Sequence, residues 1–158
     1  MQKHSEPNIH FVTHSLGGLV LRSALNEALC PEAIKQGKAC LIAPPNQGAA
    51  YGRFLNLFPP IKEMAGEYAG KQLLTTPKRG FESLGQFPDS MQVKVIAATC
   101  GCNPVFLEKN DGKVGVSETR LSTPHEFCTV FAGHSWISHS PVVVEIVKEF
   151  FYRDTNSP

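Results

Sequence analysis

Apolar positions along the chain fall into four short runs and two longer spaced patterns, and these set the expected elements. Residues 8–13 cluster Ile9, Phe11 and Val12 ahead of a glycine-rich turn, which predicts a short buried strand. Over 16–29, Leu19, Val20, Ala24, Leu25 and Leu29 recur at helical spacing, and Cys30-Pro31 ends the pattern. Residues 38–43 (KACLIA) show no alternation, which suits a strand covered on both faces, and Pro44-Pro45 stops it. Two further runs, 92–99 (QVKVIAAT) and 126–131 (EFCTVF), predict a third and fourth strand. The last pattern, 141–152, carries Val143, Val144, Val147, Phe150 and Phe151 at helical spacing, with Pro141 in its first turn. Helices alternating with buried strands predict an α/β fold built on a mostly parallel sheet with helices on its flanks.

Between the second and third strands, residues 52–89 contain Pro59, Pro60, Pro77, Gly80 and Pro88, with helical pieces expected around 60–69. This stretch predicts a proline-rich cap over the sheet. No internal repeat, low-complexity segment or linker divides the chain, so 1–158 is expected to be a single unit. Hydrophobic residues make up 42% and charged residues 18%, which supplies a core and no signature of disorder. Fifteen Lys plus Arg against fourteen Asp plus Glu give a net charge of +1, too little to recruit nucleic acid or an anionic membrane by charge alone. No uninterrupted apolar run exceeds five residues and the first ten residues are largely polar, so neither a transmembrane segment nor a secretory signal is expected. Five cysteines (Cys30, Cys40, Cys100, Cys102, Cys128) cannot all pair internally, which favours free thiols in a reducing, cytoplasmic setting.

Candidate chemistry centres on Thr13-His14-Ser15-Leu16-Gly17-Gly18, because this segment joins a predicted strand to a predicted helix. A serine on such a sharp turn is lifted above the sheet edge, and small neighbours let the backbone pass without collision. The free amides and dipole of the following helix favour negative charge developing beside it. Loops after the later strands, where an α/β sheet presents its ligand-facing residues, carry Asp111 in NDG and His134 in AGHSW. Asp89, Glu108 and Glu118 compete with Asp111, and NDG is also a plain turn sequence. His139 competes with His134, but it stands immediately before the helix that starts at Pro141 and is expected in solvent. Spacing alone does not choose between the two histidines. Cys100, Cys102, His125 and Cys128 fit no regular zinc spacing, and the cysteines are expected to be small buried thiols near the third and fourth strands.

The segments IHFVTHSLGGLVLR, LIAPPNQGA, NDGKVGVSETRL and AGHSWISHSPVVVEIVKEFF, in that order, resemble the α/β-hydrolase superfamily in the form of its small bacterial lipase and esterase-like members. The resemblance covers nearly the whole chain. It implies a Ser-acid-His triad of Ser15, Asp111 and His134: Ser15 as nucleophile, His134 as the base that takes its proton, Asp111 holding the imidazole. It also implies the Leu16 amide as first oxyanion donor and Asn46 in a loop beside the active site; His14 is either a substrate-lining or a packing residue, and Phe54, Leu55, Leu57, Phe58, Leu73 and Leu74 belong either to an apolar acyl site or to a purely structural cap. The expected reaction is cleavage of a carboxylic ester or related acyl bond of a small molecule or lipid, with no metal and no cofactor. Two departures stand out: Thr13 replaces the first glycine of G-x-S-x-G and should crowd the turn, and the fourteen residues before Ser15 leave no room for the family's earlier strands and their second oxyanion donor. These departures motivate an alternative, a partial hydrolase-like fold that is non-catalytic and acts through a partner or through self-association at an open sheet edge.

Overall fold

A computed structural model describes residues 9–48, 50 and 78–153. Four strands, β1 (Phe11–His14), β2 (Lys38–Ile42), β3 (Gln92–Ala98) and β4 (Glu126–Val130), form one parallel sheet in the order β1-β2-β3-β4. Phe11 lies opposite Ala39, Leu41 opposite Val95, and Ile96 opposite Cys128. Among the described residues, β1 is paired on one side only.

Two helices cover the sheet, α1 (Gly17–Leu25) and α2 (Pro141–Tyr152). The two-residue period of a strand explains how. Ala39, Leu41, Val93 and Val95 face one side and pack with Leu21 and Leu25 of α1. Cys40, Ile42, Ile96 and Ala98 face the other and pack with Val143 and Phe150 of α2. Every residue of β2 is buried, as the unbroken apolar run predicts. Among the described residues no helix is long and apolar enough to cross a membrane.

Helix α1 is shorter than its apolar spacing predicts, ending at Leu25 instead of near Leu29. Asn26 stops it: its side-chain amide donates to the carbonyls of Arg22 and Gln86, both at 2.8 Å, while its backbone N–H turns back to Ser23. The asparagine side chain thereby offers the backbone an alternative to continued helix, and Leu29 is left in solvent. Residues 32–36 form a short 3₁₀ segment that the spacing did not suggest. The proposed cap falls mostly on residues outside those described, including Phe54, Leu55, Leu57, Phe58, Leu73 and Leu74; of its described end, Lys78–Leu84 is 3₁₀ helix.

Lys38 begins β2 on the α2 face and is buried. Its ammonium donates to the carbonyls of Phe150 (3.0 Å), Phe151 (3.4 Å) and Arg153 (2.7 Å), satisfying the C-terminal end of α2 with a positive charge where the helix dipole favours one. A Lys38→Met variant keeps the aliphatic stem and leaves those carbonyls unsatisfied. It is expected to lose about 1.5–3 kcal/mol of stability, read as a lower urea midpoint with an unchanged slope.

Candidate active site

Ser15 follows β1 directly and has φ = 53°, the left-handed region that L-residues seldom occupy. Two hydrogen bonds hold this strained turn: the Ser15 amide donates to the Ile42 carbonyl of β2 at 2.8 Å, and the Gly18 amide donates to the Ser15 carbonyl at 3.1 Å. A side chain at Gly18 would place its Cβ 3.0 Å from Pro44 Cβ, so glycine there lets α1 lie against the exit of β2. Crowding from Thr13 is not seen, since even a Cβ added at Gly17 would sit at an ordinary 3.5 Å from Thr13 Cβ. Among the described residues, the amides of Leu16 and Gly17 have no hydrogen-bond acceptor. They sit at the positive end of α1, beside the Ser15 hydroxyl.

The structure brings Ser15, His134 and Asp111 together. His134 Nε2 lies 2.8 Å from Ser15 Oγ, and His134 Nδ1 lies 2.7 Å from Asp111 Oδ2. His134 and Asp111 are buried, and Ser15 is partly open. The other carboxylate oxygen, Oδ1, accepts the amides of Lys113 (2.9 Å) and Val114 (2.8 Å). Asp111 is therefore both the turn residue its NDG setting suggests and the partner of the imidazole, one oxygen for each task. Since Oδ2 can only accept from Nδ1–H, Nε2 is left with its lone pair toward the serine hydroxyl. The loop is also fixed from below: a Cβ on Gly101 would lie 2.1 Å from the Gly112 nitrogen, so the chain after β3 passes directly against the Asp111 turn.

The rival acids lie elsewhere. Glu118 is buried and accepts the amides of Ala50 and Gly115, tying the segment after β2 to the 116–119 turn. Glu108 accepts from Ser117, and Asp89 is exposed just before β3 at the other end of the sheet. His139 is exposed.

Asn46 is not at an open surface. It is 2% exposed, its side-chain amide donates to the Thr119 carbonyl at 2.7 Å, and its own carbonyl accepts from Arg22. These bonds brace the loop after β2, and the side-chain oxygen of Asn46 is buried with no hydrogen-bond partner among the described residues. The ring of His14 packs on that of His134, with centroids 5.1 Å apart. Burial lowers its pKa, and the neighbouring His134 and Lys113 push the same way, outweighing its hydrogen bond to the His134 backbone and the pull of Asp111.

Arg22 escaped the sequence reading. Its guanidinium is 4% exposed and binds the carbonyls of Asn46, Phe81 and Gly85, joining α1 to two later loops. The available signal was its place three residues from both Leu19 and Leu25 on an otherwise apolar face. Burial lowers the pKa of this guanidinium.

Among the described residues no group of three or more His, Cys, Asp or Glu side chains is arranged to hold a metal ion. Cys100 and Cys102 are exposed, while Cys40 is buried against α2 and its thiol is pushed up to about 12 by burial. His125 begins the loop into β4 and bonds Thr123, far from Ser15. A groove of about 620 Å³ lined by Phe87, Met91, Val93, Pro124 and His125 lies at the N-terminal ends of β3 and β4, opposite the end that carries the serine.

With this geometry in view, the comparisons define the class first: the chain has a lipase-like α/β fold. The lipase BlEst2 of Bacillus licheniformis in its propeptide form superposes with a TM-score of 0.75 at 15% identity, over 96% of this chain and 37% of that one. The mature form of that lipase gives a TM-score of 0.71 at 15% identity, over 91% of this chain and 65% of that one. The chain thus spans less than two thirds of either neighbour. No family model and no curated protein matches it.

Proposed function

We propose that this protein is a serine hydrolase that cleaves a carboxylic ester or related acyl bond of a small-molecule or lipid substrate through an acyl-serine intermediate. One observation carries the reading: the 2.8 Å and 2.7 Å contacts that run from Ser15 through His134 to Asp111. Ser15 Oγ attacks the acyl carbon as His134 Nε2 takes its proton, and Asp111 Oδ2 stabilises the imidazolium that results. Charge on the carbonyl oxygen develops beside the Leu16 amide at the start of α1, which has no acceptor among the described residues. Collapse of the tetrahedral intermediate passes the proton from His134 to the leaving alkoxide, and water repeats the sequence to release the acid. That the structural neighbours are lipases supports this chemistry, and five free cysteines support a reducing, cytoplasmic setting. Among the described residues β1 is paired on one side only, which supports strand-mediated self-association.

The test is labelling with a fluorophosphonate probe, which requires an activated serine. Expected is covalent attachment to Ser15 in the natural sequence and none in Ser15→Ala. Labelling that persists in Ser15→Ala, or that is missing from both proteins, overturns the proposal.

A further inference from the structure

We propose that His14 is a positioning residue for His134, an inference that rests on the hydrolase reading. The two residues are 120 apart in sequence, yet His14 Nε2 lies 2.9 Å from the His134 carbonyl oxygen. A carbonyl only accepts, so His14 is the Nε2–H donor. The His134 amide in turn donates to the Asp111 carbonyl at 3.0 Å. His134 is thus held at four points: its N–H and Nδ1 by Asp111, its C=O by His14, and its Nε2 by Ser15.

The placement of His14 gives this bond its consequence. His14 is the last residue of β1 and Ser15 is the next, so one strand end carries both the nucleophile and the tether that fixes the base. Any displacement of β1 carries Ser15 and His134 together and preserves their spacing. The tilted ring contact, 42° between planes, closes off one side of the imidazole. Charge matters here as well. Facing His14 are His134, Asp111 and Lys113, and a neutral ring beside His134 avoids placing a second cation next to the imidazolium that the reaction forms. His14 touches no reacting atom; it acts through the orientation of His134.

Two variants separate the tether from simple packing. His14→Phe keeps a half-buried ring and loses the donor, while His14→Gln restores an N–H donor at about the position of Nε2. Turnover of p-nitrophenyl acetate by the whole chain is the readout, with thermal melts to verify folding. Expected for His14→Phe is a fall in kcat of roughly 10 to 100-fold with little change in KM, because misplacing a catalytic group costs the chemical step. His14→Gln is expected to recover most of that loss. The acid limb of the kcat/KM profile should move to lower pH in His14→Phe, since a base that is no longer held squarely on Asp111 is less basic.

A His14→Phe protein with the kcat of the natural sequence overturns the proposal. So does a loss with an unmoved acid limb, or one that His14→Gln fails to relieve. A natural sequence that turns over ester while His14→Phe does so equally well removes this inference and leaves the hydrolase reading intact. A natural sequence with neither turnover nor fluorophosphonate labelling removes both.

Discussion

Replacing His134 with alanine is expected to lower ester turnover by roughly 10⁴ to 10⁶-fold, the range seen when the base of a serine triad is deleted. The physical reason is that a serine hydroxyl is a weak nucleophile at neutral pH, and His134 Nε2 is the group within 2.8 Å of it. The loss should also be non-additive: Ser15→Ala with His134→Ala should be no slower than Ser15→Ala alone, because the two act as one unit. His139 supplies the internal contrast. It is exposed, with its ring near Trp136 and Ser138, and His139→Ala should change turnover by no more than about twofold. A larger loss at His139 than at His134 would reverse the assignment of the base.

Asp111→Asn is expected to cost roughly 10⁴-fold in kcat, as in triads where an amide leaves the imidazole in the wrong tautomer. The geometry sharpens why. Oδ1 accepts two backbone amides and Oδ2 accepts the imidazole N–H, so every contact to this carboxylate comes from a donor. An amide must turn its NH₂ toward one of those sides. Facing Lys113 and Val114 it breaks the turn; facing His134 it forces the proton onto Nε2, where it can no longer be taken from the serine. The variant should therefore stay folded with low activity, or lose stability along with activity, and a thermal melt beside the kinetic assay tells which side gives way. Turnover within tenfold of the natural sequence would sink the role given to Asp111.

The strands were readable because each is a short apolar run followed by glycine or proline, and burial on both faces leaves β2 without alternation. Helix α2 was readable from Pro141, which fixes its first turn. What the local sequence could not carry were bonds to distant partners. Asn26 ends α1 through Gln86, 60 residues away, and Asn46 turns inward because Thr119, 73 residues away, offers a carbonyl. The same holds within the site. Ser15 was legible from its strand-turn-helix setting, whereas the choice among Asp111, Glu108 and Glu118 depends on which carboxylate the fold brings to the imidazole, and the bond from His14 to His134 has no signature in spacing.

The sheet also has a kinetic meaning. Ser15 leaves the first strand and His134 follows the fourth, so the contact between residues 119 apart exists only once three parallel ladders have closed in register. Non-local parallel pairing incurs its loop-closure entropy before any contact returns it, and so assembles slowly. The proposed esterase activity would accordingly be among the last properties a refolding chain gains, appearing after its helices and core.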